Sequence, residues 1–101
     1  MQTHKITHFD TLENGIPKRF DVEGQGILLC RVDDSVHVVQ DMCSHEDVSL
    51  SLGVLCEHRL RCPLHGSEFD IRTGQVLDEP AEENLKTFPS RVENNWVLVD
   101  V

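Results

Sequence analysis

The chain has 101 residues, of which 39% are hydrophobic, so it is long enough for one domain with one modest core. Its formal net charge of −9, from 18 acidic and 9 basic residues, argues against nucleic acid or an anionic membrane as a partner, because both attract patches of lysine and arginine. The charge favours a basic protein partner, since an acidic face can steer association with one.

The N-terminal residues lack the apolar stretch of a signal peptide. The longest apolar runs, residues 27–30 and 96–99, are far too short to span a bilayer. We therefore expect a cytoplasmic protein without a membrane partner. In that reducing compartment the 4 cysteines are expected to be thiols or metal ligands rather than disulfides.

Short β-rich segments separated by turn residues dominate the chain. Three pairs of such segments indicate hairpins: 27–32 with 36–40, 69–71 with 75–77, and 87–92 with 96–99. Residues 33–35 form the turn of the first pair, and Gly74 can supply a positive φ in the second. Helical periodicity is weak, although residues 81–85 after Pro80 predict one helical turn. The pattern predicts an all-β fold of short antiparallel strands, a small sandwich or barrel, in a single domain spanning 1–101.

Two stretches, residues 42–52 and 61–67, do not fit the strand pattern. Each contains one cysteine and one histidine: Cys43 with His45, and Cys62 with His65. Sixteen residues, 46–61, separate the two motifs and leave room for a pair of short strands between two loops. Thiolate suits iron–sulfur clusters and zinc, and imidazole suits zinc and iron. The spacing therefore predicts a metal centre held by two loops.

The pattern C-x-H, sixteen residues, C-x-x-H resembles the fingerprint of Rieske [2Fe–2S] proteins, and the resemblance covers nearly the whole chain. Further matching features are Gly66, Ser67, Phe69, Asp70, the Thr73-Gly74 turn, the Glu79-Pro80-Ala81 segment and the closing hairpin. More narrowly, the chain resembles the Rieske ferredoxins of bacterial aromatic ring-hydroxylating dioxygenases of the biphenyl and carbazole type. This resemblance implies a Rieske fold, an antiparallel β-sandwich with a small cluster-binding subdomain at about residues 41–70.

The resemblance also implies one [2Fe–2S] cluster held by four side chains: Cys43, His45, Cys62 and His65. Both cysteines would bind the buried iron and both histidines the outer one. Two ferric ions, two sulfides and two thiolates sum to zero charge when the imidazoles are neutral, whereas four thiolates add two negative charges that resist an added electron. Rieske clusters accordingly have potentials of about −150 to +300 mV, against about −400 mV for plant-type ferredoxins.

Four positions bear on where the potential lies within that range. By the resemblance, Val48 and Leu64 occupy the positions of an additional disulfide found in high-potential Rieske proteins. Ser67 keeps a hydroxyl that donates to a cluster sulfide, whereas Phe69 replaces a tyrosine that donates to a ligand sulfur. Because such donors stabilise the reduced cluster, the loss of one predicts a low-potential member.

The function implied by the resemblance is electron transfer, not catalysis. The chain would carry single electrons from a flavin-containing, NAD(P)H-dependent ferredoxin reductase to a terminal Rieske oxygenase, and a freely encountering carrier is expected to be a monomer. We expect the docking face to have Pro63 and Leu64 at an apolar centre. Four acidic residues lie near the ligands in sequence: Glu46, Asp47, Glu68 and Asp70. Some of them would form a negative rim for basic faces of the partners, and an ordinary solvated surface is the alternative interpretation.

Other interpretations of the same residues remain open. A structural zinc site fits two cysteines and two histidines, and it would make the chain a zinc-stabilised interaction module. A Cys/His nucleophilic pair is a further alternative. Within the Rieske interpretation, the chain could instead be the small subunit of an assimilatory nitrite reductase. The oxygenase's substrate cannot be read from its electron donor.

The remaining cysteines and aromatic residues have structural interpretations. Cys30 lies in an apolar segment and is expected to be a core thiol, while Cys56 beside a predicted turn is expected to be a spare thiol. Trp96 is expected to pack in the core. His4 and His58 are expected to be exposed to solvent.

Overall fold

A computed structural model describes residues 2–44, 47–64, 66–79 and 81–101. In these ranges the chain forms eleven strands: β1 (Thr3–His8), β2 (Lys18–Val22), β3 (Gln25–Val32), β4 (Ser35–Gln40), β5 (Val54–Cys56), β6 (Arg59–Arg61), β7 (Glu68–Asp70), β8 (Val76–Asp78), β9 (Thr87–Phe88), β10 (Ser90–Glu93) and β11 (Trp96–Asp100). Two short 3₁₀ turns, Phe9–Thr11 and Leu50–Leu52, accompany them. All the strand pairs are antiparallel, which confirms the predicted fold class.

The strands form three sheets. The terminal sheet has the order β1-β11-β10, the middle sheet β2-β3-β4-β9, and the loop-bearing sheet β5-β6-β7-β8. The last of these holds the two predicted short strands between the motifs, β5 and β6. It continues to Asp78, beyond the predicted end of the cluster-binding subdomain at residue 70.

The middle sheet is covered on both faces. Ile27 and Leu29 of β3 pack in one core with side chains of the terminal sheet. Leu28 and Cys30 of the same strand point the other way, into a second core with side chains of the loop-bearing sheet. A strand that is buried on both faces has a continuous apolar run rather than an alternating one. The run at residues 27–30 therefore reflects burial in a three-layer structure.

The three predicted hairpins are present, the third with a shorter first strand, β10, paired with β11. In the first, β3 and β4 are joined by two residues rather than three, because Ser35 already pairs with Val32. In the second, β7 and β8 are joined by a turn in which Gly74 has a φ of 79°. A Cβ atom at Gly74 would also overlap the carbonyl oxygen of Leu85, so both the backbone conformation and the space require glycine.

Two local predictions are wrong. Residues 87–92 are not one strand, because Pro89 separates β9, which pairs with β4 in the middle sheet, from β10, which pairs with β11 in the terminal sheet. Proline cannot donate to a strand ladder, and here it marks the change of sheet. Residues 81–85 form no helical turn. The backbone N–H of Leu85 bonds instead to the carbonyl of Gly74, at 2.7 Å.

Three aromatic side chains also differ from expectation. Trp96 is only half-buried and stacks on His8 at 3.9 Å between ring centroids, because Val97 and its alternate neighbours take the inward positions of β11. His58 is half-buried rather than exposed, and it meets His37 of β4 edge-to-face at 5.4 Å. Burial lowers the pKa of His37, and His58 lowers it further. His4 is half-buried as well.

We expect Gly74→Ala to destabilise the protein more than Gly24→Ala. Both glycines have a φ near +80°, but the position of a Cβ at Gly24 is open, whereas at Gly74 it is blocked by the Leu85 carbonyl. The backbone conformation alone costs about 1–2 kcal/mol. The steric overlap should bring the loss at Gly74 above about 3 kcal/mol, measured as the free energy of unfolding in urea. Equal losses in the two variants would contradict this reading of the turn.

Candidate metal centre

Two loops at the same end of the loop-bearing sheet contain the predicted ligands. The first loop, residues 41–53, leads from β4 to β5, and the second, residues 62–67, leads from β6 to β7. Cys43 is 6% exposed and Cys62 is 2% exposed. Both lie in the core between the middle and loop-bearing sheets, where Phe69 also packs. The fold therefore brings the two predicted thiol ligands into one apolar environment.

The two loops are closed by the same kind of hydrogen bond. The N–H of Cys43 donates to the carbonyl of Val48 at 3.0 Å, and the N–H of Cys62 donates to the carbonyl of Ser67 at 2.7 Å. In both cases the acceptor lies five residues after the cysteine. By sequence, each closed loop includes one predicted histidine ligand. His45, Glu46, His65 and Pro80 lie outside the described residues, so the ligand roles of the two histidines and the rim role of Glu46 stay predictions.

The base of the first loop is fixed by a buried carboxylate that the sequence analysis missed. Asp41 is 2% exposed, and its oxygens accept hydrogen bonds from Arg19 Nε at 2.9 Å and Ser49 Oγ at 2.6 Å. Its carbonyl accepts a hydrogen bond from Leu50 N–H, and Met42 pairs with Ser49 as an isolated β-bridge. The partners are distant in sequence, and no local pattern indicates them.

Glycines allow close approach around Arg61, the residue before Cys62. A Cβ atom at Gly53 would overlap the carbonyl oxygen of Arg61, so glycine is required where the first loop returns to the second. Gly66 has a φ of 79°, and a Cβ there would lie 3.1 Å from the Arg61 guanidinium. Gly66 therefore has a backbone conformation that favours glycine, and the neighbour beside it is an arginine side chain.

Ser67, five residues after Cys62, has a hydroxyl that is free to donate. The residue is fully buried, and its Oγ accepts a hydrogen bond from the N–H of Ala81 at 2.9 Å. Accepting that bond uses a lone pair and leaves the hydroxyl proton for another acceptor. This arrangement fits the sulfide-donor role that the resemblance implies for Ser67.

The charges beside the loops differ from the predicted negative rim. Asp70 forms a two-point ion pair with Arg72, which holds the pKa of Asp70 below its ordinary value and raises that of Arg72. Glu68 Oε1 lies 3.5 Å from Arg59 Nε. These two rim carboxylates are therefore charge-compensated by neighbouring arginines, whereas Asp47 is exposed.

An exposed apolar surface lies next to the second loop. Leu52, Val54 and Leu64 are large hydrophobic side chains that remain exposed. Together with Pro63 they line an open depression of about 720 Å³ that also reaches Cys62. The predicted apolar centre at Pro63 and Leu64 is thus extended by the neighbouring edge of β5.

The other two cysteines behave as expected from their sequence contexts. Cys30 is fully buried, and burial raises the pKa of its thiol to about 12. Cys56 is exposed at the end of β5, and none of the cysteines, all within the described ranges, forms a disulfide. Among the described residues alone, no group of three or more His, Cys, Asp or Glu side chains could hold a metal ion. Within the same ranges, no helix has the length and apolar character needed to cross a bilayer.

The chain is similar to proteins of one family. The Rieske [2Fe–2S] domain family matches residues 2–89. The ferredoxin component of biphenyl 2,3-dioxygenase from Rhodococcus jostii (strain RHA1) is 38% identical over 101 residues, covering 100% of this chain and 94% of that protein. The ferredoxin component of the naphthalene 1,2-dioxygenase system from Pseudomonas putida is 35% identical over 80 residues, covering 79% of this chain and 77% of that protein.

Solved structures share the fold. The ferredoxin of carbazole 1,9a-dioxygenase from Nocardioides aromaticivorans IC177 has a TM-score of 0.94 and 31% identity, covering 98% of this chain and 97% of that chain. A chain of the complex of reduced oxygenase and oxidized ferredoxin in carbazole 1,9a-dioxygenase has a TM-score of 0.92 and 28% identity. The match covers 96% of this chain and 91% of that chain. A protein described as a nitrite reductase (NADPH) small subunit has a TM-score of 0.87 and 26% identity, covering 100% of both chains.

These findings confirm the predicted resemblance and the predicted Rieske fold. The relatives are named as ferredoxin components, which are electron-transfer components and not the oxygenases themselves. The family's cofactor is a Rieske-type [2Fe–2S] cluster. Two buried thiols on two similarly closed loops, with a buried hydroxyl beside them, suit that cofactor in their chemistry. The chain belongs to the Rieske [2Fe–2S] domain family.

Proposed function

We propose that this chain is an electron carrier that binds one [2Fe–2S] cluster through four side chains: Cys43, His45, Cys62 and His65. The bound cluster supplies reversible one-electron chemistry. The observation that carries the proposal is the matched pair of loops, in which each buried cysteine closes its loop around a histidine in the sequence. The burial of both thiols supports placing the cysteine-bound iron inside and the histidine-bound iron outside.

The proposed electron donor is a flavin-containing, NAD(P)H-dependent reductase, and the proposed acceptor is a terminal aromatic ring-hydroxylating oxygenase. A nicotinamide gives up two electrons as a hydride, so a carrier of single electrons needs a flavin to divide them. The complex of an oxygenase with a ferredoxin of similar fold supports the acceptor. An NAD(P)H-dependent donor fits a cytoplasmic location, and we propose that the chain acts there as a monomer of one domain.

A second candidate is the small subunit of a nitrite reductase, which the similarity to such a subunit supports. In that setting the chain would be a fixed part of an enzyme rather than a diffusing carrier. Purification from the native cell separates the two. A carrier elutes alone at the size of its 101 residues, whereas a subunit elutes with a large partner.

The ligand assignment predicts which substitutions abolish the visible absorption of the cluster. Cys43→Ser, His45→Ala, Cys62→Ser and His65→Ala should each yield protein without the native red-brown spectrum. Cys56→Ser and His58→Ala remove the same residue types outside the proposed ligand set, and they should keep it. Retention of the native spectrum in any of the first four would refute that ligand. A colourless wild-type protein containing zinc would favour the zinc-stabilised module.

The reduction potential should lie at the low end of the Rieske range, at roughly −150 mV. Phe69 is fully buried in the same core as Cys43 and Cys62, and it offers no hydroxyl to a ligand sulfur. Phe69→Tyr would add such a donor and should make the potential less negative, measured by protein-film voltammetry. Phe88→Tyr, in the other core, is the matched control and should leave it unchanged. A clearly positive wild-type potential would contradict the argument.

The apolar surface beside the second loop should be a docking contact. Leu64 is 55% exposed, and Leu64→Ala should slow reduction by a flavin-containing ferredoxin reductase about fivefold at limiting protein concentration, the effect of losing one contact of ~1 kcal/mol. Ile16 is 54% exposed but lies near the β3–β4 turn, at the far end of β4 from the first loop, since Gly15 bonds to Arg31. Ile16→Ala should have no effect. Equal rates for the Leu64 variant and the wild type would exclude this surface.

A further inference from the structure

Residues 81–86 form an irregular segment that is nevertheless fixed to several elements. We call this segment the strap. Its Leu85 N–H bonds to the Gly74 carbonyl in the β7–β8 turn, at 2.7 Å. At Lys86, the backbone N–H donates to Gln40 Oε1 at 2.7 Å, and the carbonyl accepts from Gln40 N–H at 2.9 Å. Gln40 is the last residue of β4, directly before the first loop. The C-terminal end of the strap is therefore anchored to regular structure.

Before these anchors, the N-terminal part of the strap is hydrogen-bonded to both ligand loops. Ser44 Oγ in the first loop donates to the carbonyl of Glu83 at 2.6 Å. Ser67 Oγ in the second loop accepts from the N–H of Ala81 at 2.9 Å. Ala81 and Leu85 are each 4% exposed and pack in the same core as the two ligand cysteines. The strap thus contacts both loops, which are separated in the sequence by the strands β5 and β6.

Ser44 has a special place in this arrangement. It stands between Cys43 and His45, so its side chain holds the part of the first loop that leads from the inner to the outer proposed ligand. Its acceptor lies 39 residues away, which means that the bond fixes tertiary structure rather than a local turn. On the opposite loop, the bond from Ala81 restricts the rotation of the Ser67 hydroxyl, which is the donor that the resemblance implies.

We propose that the strap sets the position of the two ligand loops relative to each other, and that Ser44 is the positioning residue that fastens the first loop to it. The inference rests on the proposed ligand roles of Cys43 and His45. Partners beyond the direct ligands orient those ligands and tune the metal, and a site works only when its supporting residues hold it rigidly. Without the Ser44–Glu83 bond the strap is still held by Asn84 Oδ1, which accepts from the N–H of Val76 at 3.0 Å, and by Leu85 and Lys86. The first loop, however, is detached from the strap, and the hold of Ala81 on Ser67 is weakened.

The test compares Ser44→Ala with Ser44→Thr, which restores a hydroxyl, and with Ser35→Ala, which removes an exposed serine at the start of β4. Ser44→Ala should lose visible absorption in a chelator about fivefold faster than the wild type, as expected for one lost hydrogen bond. It should also broaden the EPR signal of the reduced protein and shift its reduction potential. Ser44→Thr should reverse these changes, and Ser35→Ala should produce none.

Amide hydrogen exchange provides a measurement that does not depend on the cluster. In Ser44→Ala the amide of Ala81 should exchange faster, while those in β3 stay unchanged. A Ser44→Ala variant with wild-type EPR, potential and exchange rates would overturn the role of Ser44 and leave the carrier function intact. Failure of Ser44→Thr to restore the signals would overturn it too. A wild-type protein without a Rieske EPR signal would refute the proposed function itself.

Discussion

The burial of the middle sheet on both faces is the constraint on which the rest of the structure depends. One face of β3 joins the terminal sheet in a core of its own, and the other face supports the loop-bearing sheet. The second core is also where Cys43 and Cys62 are buried. Removing apolar surface from water stabilises this arrangement and at the same time excludes water from the two thiols. In a chain of 101 residues the same apolar contacts therefore serve both stability and the metal centre.

The features that sequence predicts well are those determined by neighbouring residues. Three hairpins and the strand pair β5–β6 follow from turn residues and spacing, and Gly74 has the conformation expected of it. The two wrong strand and helix predictions involve distant partners. Pro89 ends one strand and allows the next to join another sheet, and residues 81–86 form hydrogen bonds to several separate elements instead of a helical turn. Such partners cannot be read from a local pattern.

The same distinction between local and distant determinants applies to the candidate metal centre. The thiols were predictable because the spacing of Cys43 and Cys62 is itself a family signature, and the structure buries them together. The residues that hold their loops were not. Asp41 bonds to Arg19 of β2, and the strands β3 and β4 lie between them in the sequence. Gly53 is required only because the Arg61 carbonyl lies against it. The proposed ligands follow from the chemistry of their side chains, whereas the residues that hold the loops follow from the tertiary structure.

The distribution of charge suits an electron carrier that has to bind and release its partner repeatedly. Near the loops, Asp70 and Glu68 are compensated by arginines, and the depression beside Cys62 is lined by apolar side chains together with Arg61. The net charge of −9 nevertheless belongs to the whole molecule and acts at long range. Steering by the distant field raises the rate of encounter, while a small apolar contact limits the strength of the complex. Long-range attraction and short-range contact are thus provided by different features of the molecule. This allows repeated short encounters, because dissociation after each electron transfer does not require breaking a strong ion pair or exposing a large buried area.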